Sequence, residues 1–408
     1  MNINKYRKKR NFKFSGKPKN AHSNKNRRSR PKKSLATLDP KLLIRKAETT
    51  QSEAFSPPRL FSEMPLHQEL LSRLSKKGYR FPTQIQEETL EPLLAGRDLM
   101  GIANTGTGKT AAFLIPIIEK LLNNGRSQAS GSLVVVPTRE LALQVEQEFK
   151  SITSQLGIYC SSFIGGTSVG RDQARLRRHH HLIIGTPGRL IDLANRGDLR
   201  LSQISTLVLD EFDRMLDMGF VADIKKIVQR MPNRQQTMLF SATLDKSQKM
   251  LIDELLNNPM EVKVSAGDST TSQVEQDVIY VPSEEDKFNM LLDLIEDQNF
   301  EKVLIFAETK RLVDKVNKRL LRSGVSVDHI HGNKTQNYRI KALDKFKKGK
   351  VKVLVATDVA ARGIDVMDIT HVINYQIPRT FDSYIHRIGR TGRAGKKGKA
   401  FTFVDAKN

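Results

Sequence analysis

Residues 99–110 read Leu-Met-Gly-Ile-Ala-Asn-Thr-Gly-Thr-Gly-Lys-Thr, an apolar run that stops at a glycine-rich turn carrying a lysine and hydroxyls. Leu99–Ala103 has the length and composition of a buried strand, and the turn after it suits the start of a helix. Gly106 and Gly108 let backbone N–H groups close around phosphate oxygens, with the positive end of the helix behind them. Lys109 would then reach the β- and γ-phosphates of a nucleotide, and the Thr110 hydroxyl would hold Mg2+. The strict phosphate-loop pattern wants Gly where Ala103 stands.

Outward from this stretch the alternation repeats. Short β-branched runs recur at Leu99–Ala103, Leu133–Pro137, His181–Gly185, Thr206–Leu209 and Thr237–Phe240. A second series runs through Val278–Val281, Lys302–Phe306, Val327–Ile330, Val351–Ala356, His371–Asn374 and Ala400–Val404. Helix-like stretches such as Glu140–Ser151 and Thr309–Ser323 lie between them. Short buried strands with helical crossovers predict an α/β fold, with two parallel-sheet domains in tandem. In the first half nearly every run ends in a polar signature: ANTGTGKT from Ala103, PTREL from Pro137, TPGR from Thr186, DEFD from Asp210 and SAT from Ser241. Ligands of open α/β sheets bind outside the carboxyl ends of strands, so these signatures should share one rim.

Adjacent carboxylates such as Asp210 and Glu211 at a strand end repel each other unless a cation is near. Mg2+ beside the phosphate loop supplies it: Asp210 would bind the ion, through water, and Glu211 would polarise the attacking water. The second half carries His386-Arg-Ile-Gly-Arg-Thr-Gly-Arg393. Arg387, Arg390 and Arg393 cannot share one helical face, and Gly389 and Gly392 argue for a turn or helix start. Fixed cations of this kind suit phosphate charge that develops during transfer; a patch for RNA backbone is the alternative reading.

At 408 residues the chain has room for two domains and something more. A single cysteine, Cys160, excludes a disulfide framework or a Cys-based zinc site, and no apolar run approaches the roughly 18 residues of a membrane span. The net charge of +24 is uneven. Residues 1–46 hold 17 Lys/Arg and one acid, Asp39, a net of +16, leaving +8 for the rest. Residues 1–58 therefore read as a basic disordered leader, unable to bury enough surface to offset its ordering entropy. Tyr6, Phe12 and Phe14 among its cations suit a non-specific RNA tether, with a solubility tail as the plain alternative. The first domain is expected at 59–265, a polar linker at 266–276 and the second domain at 277–408.

Together these motifs resemble the DEAD-box RNA helicases, a branch of helicase superfamily 2, over residues 60–408. The resemblance implies two RecA-like domains and an ATP-dependent RNA helicase. Residues 59–87 resemble the family's Q motif, implying that Phe61 stacks on adenine and Gln86 reads its edge, so that ATP is preferred to GTP. Ala103, Asn104, Thr105, Gly106, Thr107, Gly108, Lys109 and Thr110 match the first nucleotide-binding motif, Ala included. Ser241 and Thr243 match the motif linking hydrolysis to strand separation, through hydrogen bonds with Asp213 and His386. Asp365 would contact the ribose, and Arg390 and Arg393 would be the arginine-finger residues. Family RNA contacts carry over to Thr138, Arg139, Gly165, Gly166, Thr186 and Arg189, and in the second domain to Gln336, Arg339, Thr357 and Gly363. Such groups bind phosphate without reading sequence, and contact with the 2′-hydroxyl would favour RNA over DNA. A cytoplasmic monomer is expected, acting on single-stranded or partly duplex RNA.

Phe212 departs from the family pattern, which has Ala there. Alternation along a strand would turn it away from its acidic neighbours into packing, so a repacked wall is expected. The rival reading has Phe212 spoil hydrolysis, leaving an ATP-gated RNA clamp or annealing chaperone. A second rival is a DNA-directed superfamily 2 translocase. The run His179-His180-His181 reads as a solvated turn, Cys160 as a packed thiol, and Lys345–Lys352 as a helix end with a possible RNA role.

Overall fold

The computed structural model describes residues 38–46, 55–104, 106–125, 131–244, 248–264, 274–296, 300–361, 366, 368–392 and 397–405. Two parallel sheets organise the chain. The first contains β1 (Leu99–Ala103), β2 (Ser132–Val135), β3 (Cys160–Phe163), β4 (Leu182–Gly185), β5 (Thr206–Leu209), β6 (Gln236–Ser241) and β7 (Met260–Val264) in the order β3-β4-β2-β5-β6-β1-β7. The second contains β8 (Val274–Val281), β9 (Val303–Phe306), β10 (Val327–Ile330), β11 (Val353–Ala356), β12 (His371–Asn374) and β13 (Gly398–Asp405) in the order β10-β11-β9-β12-β13-β8.

Strands such as Thr-Leu-Val-Leu at 206–209 and Val-Leu-Ile-Phe at 303–306 are buried at every position. Side-chain alternation splits each sheet between two cores. Val134, Ile184, Val208 and Phe240 face one layer of helices, while Leu133, Ile183, Leu207 and Leu239 face the other. The second sheet does the same with Leu304, Leu354 and Val372 against Ile305, Val355 and Ile373. Helices on both faces remove the need for polar residues in the strands, which is why the runs read as continuously apolar.

Two strands carry no run in the sequence reading. β3 is Cys-Ser-Ser-Phe, whose two serines hide an edge strand. β7 is Met-Glu-Val-Lys-Val, an edge strand buried on alternate residues only. The linker assignment also needs correction at its end: Val274, Glu275 and Gln276 already belong to β8, paired with Gly398, Lys399 and Ala400. Residues 265–273 lie outside the described residues.

The leader needs a larger correction. Residues 1–37 and 47–54 lie outside the described residues, but 38–46 do not behave as a free tail. Pro40–Leu43 forms a turn of 3-10 helix, Leu43 is fully buried in the second sheet's core beside Tyr384 and Phe346, and Leu38 packs against the same cluster. Arg45 and Gln276 exchange backbone hydrogen bonds of 3.1 and 2.8 Å. Two apolar side chains and a pair of backbone bonds offset the ordering of this short segment, which its charge had obscured.

Candidate nucleotide and RNA site

Strand order puts the signatures side by side. β5, β6 and β1 are neighbours, so DEFD, SAT and the phosphate loop leave adjacent strand ends. β3, β4 and β2 form the other half of the rim, which carries Gly165 and Gly166, Thr186 and Arg189, and Thr138 and Arg139.

The helix Lys109–Asn123 starts behind Gly108, whose φ of 94° no L-residue adopts readily. A Cβ there would also lie 2.4 Å from Gln86 Nε2. Lys109 is buried and donates to the Ala103 carbonyl at 2.5 Å, so its ammonium sits inside the loop. Gln86 Oε1 accepts from Thr83 N–H at 3.0 Å while Nε2 donates to the Gly108 carbonyl at 3.1 Å. The amide thus braces the phosphate loop and keeps one N–H for another partner. Phe61 departs from its expectation. Its ring is 2% exposed, packed in the core and stacked on Tyr79 at 6.3 Å, so it offers no open face to adenine. Thr105 lies outside the described residues.

Asp210 is buried at the end of β5, accepting from the Glu211 N–H at 2.9 Å. Burial pushes its carboxyl up to about 6; the Lys109 charge pulls the other way, and Glu211 and Asp213 add to the rise. A buried carboxylate at a strand end, within reach of the Lys109 charge, fits Mg2+ bound with a triphosphate. Glu211 sits at φ 53°, ψ 50°, a left-handed conformation for a non-glycine residue. Both its oxygens accept from Arg214 Nη1 at 2.7 Å, in a buried pair. Asp213 meets the SAT segment: its N–H donates to Ser241 Oγ and its Oδ2 accepts from Thr243 Oγ1, each at 3.3 Å.

On the other half of the rim, Thr138 caps the helix Arg139–Ile152 by accepting from Leu141 N–H. The Arg139 guanidinium lies over Gly165 and Gly166, so close that a Cβ on Gly166 would meet Nη1 at 2.5 Å. Arg189 is buried and paired with Asp172 at 2.7 Å, a bracing role that leaves less of it for RNA. From the second sheet, Gln336 Nε2 and Arg339 Nη2 both reach Glu140 Oε1, at 2.8 and 2.9 Å. Gln336 Oε1 and Arg339 Nε are buried with no hydrogen-bond partner among the described residues. Burial and then the nearby Arg339 charge hold Arg139 below the usual guanidinium range. Arg139 and Arg339 thus put two cations close together, and Arg339 Nε is a buried donor with no partner among the described residues.

The DEAD/DEAH box helicase model matches residues 83–251, and the model of the helicase conserved C-terminal domain matches residues 286–395. Over 344 residues, or 84% of its length, the chain is 45% identical to the DEAD-box ATP-dependent RNA helicase CshA of Geobacillus kaustophilus, covering 73% of that protein. It belongs to the DEAD-box RNA helicase family. CshA of Bacillus subtilis is 43% identical over the same length, covering 69% of that protein. Among solved structures, S. cerevisiae Dbp5 bound to RNA and ADP BeF3 superposes with a TM-score of 0.76 at 30% identity, covering 85% of this chain and 90% of that one. Mss116p bound to ssRNA and AMP-PNP gives 0.75 at 31% identity, covering 84% and 73%.

Both sheets are thus the RecA-like lobes of a DEAD-box helicase. In the second lobe, Thr357 directly follows β11 in a buried position, and His386 lies on the helix Phe381–Ile388. Arg390 is buried just beyond that helix, beside Asp358, Ala361 and Arg387 in one small recess. Arg387 is a brace, paired with Asp358 through two 2.6 Å bonds. Gly363, Asp365 and Arg393 lie outside the described residues. Phe212 is fully buried with Leu209, Met215 and Leu239, as expected, but for another reason: it opens the helix Phe212–Asp217 and is not in a strand. Glu140 and Arg214 escaped the sequence reading, although the i,i+3 spacing of Glu211 and Arg214 offered a signal. The histidine run is also corrected. His180 and His181 are buried and only His179 is exposed.

Proposed function

We propose that this helicase couples RNA-stimulated ATP hydrolysis to closure of its lobes on single-stranded RNA, bending the bound strand and separating short duplexes locally. The observation that carries the reading is the meeting of Gln336 and Arg339 with Glu140 at the RNA half of the first rim, next to unpaired polar atoms. Thr138, Arg139, Gly165, Gly166, Thr186, Thr357 and Gly363 complete a sequence-blind phosphate track. Each ligand that favours closure should raise the affinity of the other.

In the nucleotide half, Lys109 exchanges its carbonyl partner for the β- and γ-phosphates, and Gln86 turns its free N–H toward adenine. Thr110 and Asp210 would hold Mg2+, which when bound supplies charge stabilisation to the leaving phosphates. Arg214 holds the Glu211 carboxylate in place through a buried ion pair, so that Glu211 orients and polarises the attacking water. Arg390 and Arg393 bring positive charge from the second lobe to the transferring phosphate. Asp213, Ser241 and Thr243, with His386, carry the nucleotide state toward the RNA half. Residues 1–37 act as an auxiliary RNA tether anchored through 38–46 to the second lobe. The first domain is 59–265, the second begins with β8 at Val274 and runs to 408, and the working state is a cytoplasmic monomer.

Phosphate release measured with RNA, with DNA of the same sequence and without nucleic acid tests the reading. RNA should stimulate the wild type and leave Glu211→Gln near its basal rate. Absence of RNA-dependent release from the wild type favours the clamp, and equal stimulation by DNA favours the translocase.

A further inference from the structure

The opposite rim of the first lobe holds a feature that the nucleotide and RNA site does not use. His179, His180 and His181 precede β4 and Tyr159 precedes β3, so all four lie at the amino ends of the edge strand and its neighbour; His181 is five residues of extended chain, about 17 Å, from Thr186. A recess of about 410 Å³ here is lined by Arg177, Arg178, His179, His180, Asp198 and Arg200 among others. A second, of about 290 Å³, shares Arg178, His179 and His180 and adds Lys150, Tyr159 and Arg175.

The charge is one-sided. Glu146 is already engaged by Lys150, Arg175 and Ser162, and Asp198 accepts from Gln173. Arg177, Arg178 and Arg200 are exposed and make no side-chain ion pair or hydrogen bond among the described residues. An aromatic row stands beside them. Tyr159 is 60% exposed, with its ring 6.0 Å from that of His181, which is 4.4 Å from that of His179. The row is fixed from below: His181 Nδ1 accepts from the Tyr159 N–H at 3.0 Å, so its Nε2–H faces His179 Nε2 at 3.2 Å.

His180 supplies an independent observation. It is 8% exposed, lines both recesses, and its Nε2 lies 2.7 Å from the Arg175 carbonyl, which can only accept. The proton is therefore on Nε2, and Nδ1 is a lone-pair acceptor, buried with no partner among the described residues. Burial moves the ring below the usual histidine range; the hydrogen bond to the Arg175 carbonyl opposes this, and the charges of Arg175, His179 and Arg178 add to it. A buried acceptor without a donor is costly, and a ligand hydroxyl removes that cost.

We propose that this edge is a second RNA subsite, where Arg177, Arg178 and Arg200 hold backbone phosphate, Tyr159 and His179 stack a base, and His180 Nδ1 accepts from a ribose 2′-hydroxyl. Cations with an exposed aromatic platform are the composition of a single-strand groove, and a 2′-hydroxyl donor is what separates RNA from DNA. A metal is the wrong occupant, because Nδ1 of His181 and Nε2 of His180 are already committed to backbone groups. The subsite rests on the helicase function proposed for the cleft and extends it: a strand leaving the rim at Thr186 would continue along the sheet edge.

Fluorescence anisotropy on the full chain with AMP-PNP tests it, using one oligoribonucleotide that fills only the cleft and another about twice as long. The wild type should bind the longer strand more tightly. Arg177→Ala/Arg178→Ala and, separately, Tyr159→Ala should lose about tenfold on the longer strand alone, with the short-strand affinity and RNA-stimulated phosphate release unchanged. The double variant's salt slope on the longer strand should fall by about 1.4, for two phosphates released. A longer strand with deoxyribose in its outer half should bind the wild type more weakly than the all-ribose strand. Short-strand binding without any length dependence, or a length dependence that survives in the variants, overturns the subsite alone. Equal binding of the all-ribose and part-deoxyribose strands overturns the 2′-hydroxyl contact, and with it the role of His180. A wild type that binds neither strand overturns the helicase reading and the subsite together.

Discussion

Arg339 of the second lobe places Nη2 2.9 Å from Oε1 of Glu140 in the first, and Gln336 converges on the same oxygen. Glu140 is buried and Arg339 nearly so, which makes this a desolvated contact and not a surface pair. It joins the lobes at the half of the rim where Arg139 lies over Gly165 and Gly166.

Glu140→Ala should therefore weaken closure without touching the nucleotide. RNA affinity in the presence of AMP-PNP is expected to fall about tenfold or more, as for a buried charge left without its partner. Nucleotide affinity without RNA should be unchanged. Anisotropy titrations and nucleotide binding by calorimetry separate the two quantities.

Gly108→Ala is expected to fail at the nucleotide. The new Cβ would meet Gln86 Nε2 at 2.4 Å and would have to adopt φ 94°. The backbone alone costs about 1–2 kcal/mol, and moving Gln86 removes the brace on the Gly108 carbonyl. Nucleotide binding should be lost in calorimetry while the far-UV circular dichroism remains that of the wild type.

Leu43→Ala should destabilise the second lobe by about 2–5 kcal/mol, the usual range for a fully buried leucine. Deleting residues 1–37 should leave the urea midpoint unchanged and flatten the salt dependence of RNA affinity, by about 0.7 in slope for each phosphate released. Denaturation of the two variants distinguishes an anchored segment from a free one.

Cys160 should be unreactive in the native protein. Burial, with a smaller contribution from Glu146, pushes its thiol up to about 12. The unfolded thiol titrates near 8.5. Above that pH the unfolded state loses the proton while the native state keeps it, so stability falls as pH rises from about 8.5 toward the native value. Alkylation at pH 8 should be slow in buffer and fast in denaturant.

What the sequence made legible is the chemistry of strand ends. ANTGTGKT, DEFD and SAT are short, polar and placed directly after apolar runs, so both the sheet and its active rim could be read together. Edge strands were less visible, because β3 contributes serines and β7 alternates with charges at Glu261 and Lys263. The segment 38–46 was hidden by the charge around it: one 3-10 turn is too short to show a period, and only the tertiary contact reveals Leu43. Phe61 was assigned by resemblance to a ligand face, whereas packing on Tyr79 claims it here. Glu140 acts through partners across the lobes that only the fold identifies, whereas Arg214 had no signal beyond its i,i+3 spacing from Glu211.

Arg390→Ala, assayed for RNA-stimulated phosphate release at saturating ATP and RNA, tests the central claim most directly. If the second lobe supplies the positive charge missing from the first, turnover should fall by about 10³ to 10⁵ while ATP binding persists. Turnover equal to that of the wild type, in a variant with an unchanged melting temperature, would contradict it.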